Sequence, residues 1–466
     1  MTDTLYMALF TRFVAFTALL AWVLLGCQSN GEPQPDDETR TANDDAPAVE
    51  EDAPLAEDQE ANVYIPAQER LTSSLRVGVA YNDSHVSVVY EYETDNPSWY
   101  HDYLVYEDGE WTRIGRGVAG PQPFGLNEDR ISMALDDGSV EGYDYWGGYV
   151  TMHPGVQSRT DAAPEDIRKF LEASRSGELD DESWQRHLPE EQLDELREAG
   201  TFFQTWQWRA HRSNPVGFAD PGYVLAQRHS AGGESMYATN WDGEAEQPLY
   251  MYDPAEHDGM VALERERVEA REYTQDDPYY LNVEQAVPFD PEHEWQDGDT
   301  LPRRYLQQPS GSRGALTADG RYEDGAWRVR ITRTLEAPDP LDSKSVEPGQ
   351  TYNVAFAVHA DATQGRWHYT SMPLPFSLDD EEAHLRAVYT EGELDEAEVE
   401  WLEVPLFYPG QAYLEWLRDN GHPVHEAYAA AHADPLDADA VRTLATALAE
   451  HELAWLREMG IDVATR

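Results

Sequence analysis

From Val63 onward, apolar and polar residues alternate with a period of two over short stretches broken by Gly, Pro, Asn and Asp. The run LRVGVAYNDSHVSVVYEYE and its flank predict a hairpin over 74–93, two strands around an Asn-Asp-Ser turn. The same signature predicts strands at 102–106, 148–152, 202–209, 248–252, 327–334 and 352–359. Many short strands at irregular spacing imply a mainly β fold, an antiparallel sandwich spanning 63–378. Two regions depart from the pattern. Within 164–199, Ile167, Phe170 and Leu171, then Leu188, Leu193 and Leu196, predict two short helices inserted into the sandwich. Beyond about residue 378 the alternation stops. DEAEVEWLEV, GQAYLEWLRDN and DADAVRTLATALAEHELAWLREMG carry helical spacing, as in Val441, Leu444, Ala445, Leu448, Trp455 and Met459. Residues 379–466 are therefore expected to form a helical appendage of structural role. No internal repeat of 20–50 residues is present.

The chain begins differently. Residues 8–26 are apolar with one charge, Arg12, and close on Leu24-Leu25-Gly26-Cys27. An apolar core ending on a small residue reads as a secretory signal, and the ending resembles the bacterial lipobox. That resemblance implies removal of 1–26, acylation of Cys27 as the mature N-terminus, and a location on the periplasmic side or cell surface. Gln28 after the cysteine favours the outer membrane. Met7 is as good a start as Met1, because Asp3 is out of place ahead of an export signal, and an uncleaved anchor is the alternative reading. Residues 28–62 then carry twelve acids and one base with scattered Pro. This is a solvated tether without structure of its own.

Charge narrows the function. Ninety acidic against 33 basic residues give a net charge of −57, which excludes nucleic acid as a partner. Only Lys169 and Lys344 are lysines. The acidity reads as solvation chemistry for a salty medium, where screening lengths fall to about 3 Å at 1 M. With 14 Trp, 26 Tyr and 41% hydrophobic residues the chain is nonetheless a folding one. Cys27 is the sole cysteine, so disulfides, thiolate metal sites, thiol nucleophiles and CxxCH haem attachment are absent from the folded part.

Enzyme signatures are lacking: no HExxH, no GxSxG turn and no Gly-rich phosphate loop ahead of a helix. Carboxylate pairs are too common here to be informative. His422 and His425, three apart, are a weak metal-site candidate.

The aromatic-rich segments are more telling in their order. EDRISMALDDGSVEGYDYWGGYVTMHPG (128–155) precedes TWQWRAHRSNPVGFAD (205–220), followed by GAWRVRITRTL (325–335), GQTYNVAFAVHAD (349–361) and GRWHYTSMPLPFSL (365–378). This order resembles the haem-binding subunit family of ethylbenzene dehydrogenase and the gamma subunits of dimethylsulfide dehydrogenase, chlorate reductase and selenate reductase. It covers about 72–378. The resemblance implies one non-covalent haem b in a β-sandwich, moving single electrons without catalytic turnover. It implies an axial methionine at Met133 and a second ligand from the segment after the A-F-A-V strand. Family members have lysine there; this chain has His368.

Imidazole is an ordinary axial ligand, and a Met/His pair raises the potential. His153 is the alternate ligand, with His211, His359 and Met372 behind it. Trp208, Arg212 and Trp367 are expected to line the cofactor or pair with its propionates; Trp327 and Arg333 read equally well as packing. The implied partners are the membrane, through the lipid anchor, and a redox protein. The latter is either a molybdenum oxidoreductase with an iron–sulfur subunit or a soluble cytochrome. The tether departs from the soluble relatives. A haem-free surface sandwich that binds carbohydrate or another small ligand is the alternative function.

Overall fold

The computed structural model describes residues 63–115, 126–152, 170–176, 187–360, 368–395, 397–410, 417–458, 460 and 463–465. The alternating stretches form β1 (Thr72–Tyr81), β2 (His85–Glu93), β3 (Arg130–Asp136), β4 (Phe203–Arg209), β5 (Asp220–Val224), β6 (Thr317–Glu323), β7 (Ala326–Thr334), β8 (Thr351–His359) and β9 (Leu402–Phe407). They hydrogen-bond in the order β5-β4-β3-β8, then through the short strand Tyr369–Thr370 to β9-β1-β2-β7-β6. Neighbours along this path are antiparallel.

The sheet does not stay open. Phe218, just ahead of β5, bridges Thr317 at the start of β6. The Ala219 N–H donates to the Leu316 carbonyl at 3.0 Å and the Ala318 N–H to Gly217 at 2.9 Å. The fold is thus mainly β as expected, but in place of two separate facing sheets one long sheet closes on itself as a barrel. Strand alternation then sends every second residue inside. Tyr90 of β2 meets Met133 of β3, and Trp208 of β4 meets Trp327 of β7 at 4.9 Å between ring centroids. None of these strands are neighbours, so the contacts cross the interior. Gly320 in β6 makes one of them possible: a Cβ there would lie 2.4 Å from the Trp208 ring.

Two helices follow within the expected helical region, α1 (His425–Ala433) and α2 (Ala438–Glu458); α2 falls where helical spacing predicted it, α1 lies between the predicted stretches 410–420 and 437–460, and most of 410–420 lies outside the described residues. Val441, Leu444, Ala445, Leu448 and Leu456 of α2 are buried and join the barrel's apolar cluster. The N-terminal strand Val63–Ile65 pairs in parallel with Val463–Thr465. A second apolar core, built from Tyr100, Tyr103, Leu104, Trp111, Trp241, Leu263 and Leu301, gathers around a four-stranded sheet. Trp99 packs against both cores.

Several elements differ from expectation. Leu385–Tyr389 and β9 are strands of the large sheet, although helix was expected beyond residue 378. Leu402, Val404 and Leu406 do alternate, but the acidic flank 391–403 hid a strand bonded along β1. The strand expected at 148–152 shrinks to Thr151–Met152, because Gly147–Val150 turns as a 3₁₀ helix with Gly147 at φ +52°. In the insert, Phe170–Leu171 pairs with Thr151–Met152 as strand rather than helix, while Glu190–Glu198 is the second helix as predicted. The leader, Cys27 and the tether lie outside the described residues.

The Gly320→Ala variant is expected to cost about 1–3 kcal/mol, the usual range for overpacking a filled core. Urea unfolding followed by Trp fluorescence checks it. A wild-type midpoint would show that Trp208 moves aside freely.

Candidate redox site

Met133 sits in β3 between Ile131 and Leu135, all three facing inward and buried. The Tyr90 hydroxyl donates to its sulfur at 3.6 Å, and the Phe356 ring stands edge-on to Tyr90 at 6.0 Å. Burial pushes the Tyr90 phenol far up, so it remains a donor at every accessible pH. Trp206 and Phe356 flank Met133 in the neighbouring strands. Trp208 is fully buried, and its indole N–H donates to Asn214 at 2.9 Å. Trp327 donates to Asp129 at 2.8 Å. Arg333 reaches Gln204 at 3.1 Å and the Lys344 carbonyl at 2.7 Å, with its guanidinium 5.4 Å from the Trp206 ring. Met372 lies in the barrel cluster.

The opposite face of the same strands is chemically different. Phe356 and Val358 of β8 point inward with Met133, so His359 points outward, in register with Arg130 of β3. The His368 ring stacks on His359 at 4.9 Å and 26°. Ser132, Ala134, Ala355 and Ala357 share that outward face. The structure therefore does not bring Met133 and His368 together. They lie on opposite sides of one sheet. Trp367 and His153 are outside the described residues.

Arg212 belongs to a buried ion network between the barrel and the second core. Its Nε donates to Glu128 at 2.6 Å, while the backbone N–H groups of His211 and Arg212 donate to the other carboxylate oxygen at 2.7 and 2.8 Å. Arg130 approaches Glu128 at 3.6 Å. Burial alone would raise the Glu128 carboxyl, but Arg212, His101 and Arg130 more than offset it and hold it far below the usual range. Burial, with Arg212 beside it, lowers Arg130 to about 9. Asp102 is likewise held low against its burial by Arg113 at 2.5 Å and Arg303 at 3.8 Å.

His101 and His211 face this network with ring centroids 6.2 Å apart. Burial keeps both below the ordinary imidazole range. A neutral His211 donates from Nδ1 to the Trp99 carbonyl at 3.0 Å. Sequence reasoning had reached Arg212 only as a cofactor contact; Glu128, 84 residues away, carries no linear signal of the pairing. Lys344 is committed to Asp137 at 2.9 Å and to the Gly200 carbonyl at 2.5 Å. His425 bonds the Leu417 carbonyl, and His422 packs on His451 rather than joining it in a ligand pair. Among the described residues no group of three or more His, Cys, Asp or Glu is arranged to hold a metal ion.

The network sets a pH test. The native Glu128 carboxyl titrates below the unfolded value of about 4.3, so its stabilisation is complete above that pH and is lost as acid reaches the native value. Glu128→Ala leaves the guanidinium of Arg212 without its carboxylate and is expected to cost about 3–5 kcal/mol. Urea unfolding at neutral pH measures this, and the variant should lose less stability than wild type between roughly pH 5 and 3. Parallel acid limbs would show that Glu128 does not carry that dependence.

A family model described as ethylbenzene dehydrogenase matches residues 41–371. Cytochrome c-552 of Stutzerimonas stutzeri is 28% identical over 83 residues, 18% of this chain and 27% of that protein. The chain thus spans about a quarter of the length of this curated relative. The family match takes in β1 to β8, the outward face with His359 and His368, and the Glu128–Arg212 network; it stops before β9, α1 and α2. By that match, over most of its length, the chain belongs to the ethylbenzene dehydrogenase family.

Proposed function

We propose that this chain is an exported electron-transfer protein holding one non-covalent b-type haem, with no catalytic turnover of its own. Membership of the family and the likeness to a cytochrome support a haem-linked role. One observation supports non-covalent attachment. The sole cysteine is Cys27, ahead of the folded residues, so no thioether bond can fix a haem to the fold.

The side chains present suit that group. His359 and His368 bring two imidazoles together on one sheet face, and Arg130, in register with His359, offers a guanidinium suited to carboxylates. When bound, haem iron supplies a reversible one-electron couple. His368 would hold the iron through its imidazole, and Arg130 and Arg212, fixed in a network with Glu128, would offer positive charge to the propionates. A thioether ligand paired with that imidazole would raise the potential. Met133, on the far face, is not placed to be that group for the same iron.

Export and anchoring follow from the lipobox-like ending. In this reading Cys27 is acylated, and residues 28–62 tether the fold on the periplasmic side of the outer membrane or at the cell surface. Among the described residues no helix is long and apolar enough to cross a membrane. The partner is another redox protein, either a molybdenum oxidoreductase with an iron–sulfur subunit or a soluble cytochrome.

The deciding experiment is a spectrum of the purified protein in high salt, oxidised and dithionite-reduced, with a pyridine haemochrome assay. A sharp b-type α-band at about one haem per chain is expected. A folded protein that stays colourless with haemin would sink the proposal. Separately, Cys27→Ser should release the protein from membranes; continued membrane association would argue for an uncleaved anchor.

A further inference from the structure

Lys344 stands apart in this chain. Of 33 basic residues only Lys169 and Lys344 are lysines, and every other buried Lys or Arg position among the described residues is an arginine. Arginine serves a buried carboxylate well, with its planar fork and permanent charge. What lysine adds is an amine that can shed its proton and attack an electrophilic carbon.

The surroundings hold that amine against one carboxyl group. Lys344 is 4% exposed. Its Nζ lies 2.9 and 3.0 Å from the two carboxylate oxygens of Asp137, the residue that follows β3. An atom so placed is about 3 Å from the carbon between those oxygens, at the short end of the roughly 3–3.5 Å of a near-attack pair. Both backbone groups of Lys344 are fixed: its N–H donates to Gln204 at 3.1 Å and its carbonyl accepts from Arg333 at 2.7 Å. The Phe202 ring lies 4.3 Å from Nζ and presents an apolar face to it. Nζ also donates to the Ser139 hydroxyl at 3.1 Å and to the Gly200 carbonyl at 2.5 Å. A second carboxyl adjoins the pair. Asp136 is buried and held by the N–H groups of Gly138 and Val140 at 2.9 and 3.1 Å. Burial pushes it up to about 6, so it exchanges a proton near neutrality.

We infer that Lys344 and Asp137 join in an intramolecular isopeptide bond, with Asp136 as the carboxyl that relays the protons. Nζ attacks Cγ of Asp137; the carbon–nitrogen bond forms and one carbon–oxygen bond of the carboxyl breaks. Ammonium and carboxylate together become an amide and one water. Two of the three ammonium protons leave with the oxygen, and the third stays on nitrogen, where the Gly200 carbonyl accepts it. No oxidant or cofactor is consumed. The bond ties the end of β3 to a segment 207 residues further along. It restricts the unfolded chain as a disulfide does, in a chain whose sole cysteine, Cys27, precedes the fold.

A tryptic digest of the purified full chain, read by mass spectrometry, tests this. Peptides 131–159 and 334–366 are expected joined, uncut after Lys344, and lighter than their sum by one water, about 18 Da. Lys344→Arg keeps the cation without the amine and should give both regions at sequence mass. Asp136→Asn keeps an acceptor for Gly138 and Val140 but no proton to relay. It is expected to slow linkage by about a hundredfold, timed in newly synthesised chains.

A wild-type digest that yields 334–344 and 345–366 as separate peptides at sequence mass overturns the inference, as does a Lys344→Arg chain that shows the same joined peptides. Linkage of Asp136→Asn at the wild-type rate overturns the role given to that carboxyl.

Discussion

The structure depends on how a long sheet is persuaded to close. One side chain does most of this. The Asn214 amide accepts from the Gly320 N–H at 2.8 Å, donates to the Gly320 carbonyl at 2.9 Å and accepts the Trp208 indole N–H at 2.9 Å. It bonds both backbone groups of Gly320 in β6, as a neighbouring strand would, from the turn that leads into β5. Each bond is worth about 1 kcal/mol net. Their value lies in position, because together they hold Trp208 over a glycine and leave its ring nowhere to go but against Trp327.

Closure then dictates the chemistry of each face. Once the barrel interior is packed, a methionine at an inward position fills space among aromatic rings, which thioethers do well. A histidine at an outward position remains beside small residues and guanidinium groups. The same period of two that builds the strands therefore sorts the candidate ligand residues between the packed interior and the outer face. The ion network follows a similar logic on a second boundary. Glu128, fully buried, is tolerable only because two backbone N–H groups and Arg212 satisfy both its oxygens, and this fixes the Arg130 end of the outward face.

Much of the fold was legible in the chain. The hairpin 74–93, the strands now called β4, β7 and β8, and the long C-terminal helix announce themselves by period, since each has one face in the core and several residues over which to repeat. What was not legible depends on partners distant in sequence. β9 alternates over only Leu402, Val404 and Leu406 within acidic surroundings, and its identity comes from the β1 edge. Barrel closure rests on the Phe218–Thr317 bridge, the backbone hydrogen bonds beside it and the Asn214 amide, and nothing local distinguishes those residues from a loop. At the site, residue types pointed to Met133 and His368, but the face each occupies needs the register between β3 and β8.

Charge behaves differently inside and outside this molecule. Arg113, Arg130, Arg209, Arg212, Arg303, Arg313, Arg333 and Lys344 are all buried, and they draw on a supply of only 33 basic residues against 90 acidic ones. Asp220, held between Arg209 at 2.5 Å and Arg313 at 2.9 Å, shows the pattern. Drawing cations inward leaves the exterior more one-sided than the composition suggests. The two populations respond oppositely to salt, because exposed charges are screened within about 10 Å at 0.1 M while buried pairs are screened far less. Ionic strength thus acts on self-repulsion and on the approach of a charged partner, while the Glu128 and Asp220 networks stay intact. The surface beside those networks keeps its local field across a wide range of media, and only the approach of a charged partner is tuned by the solution.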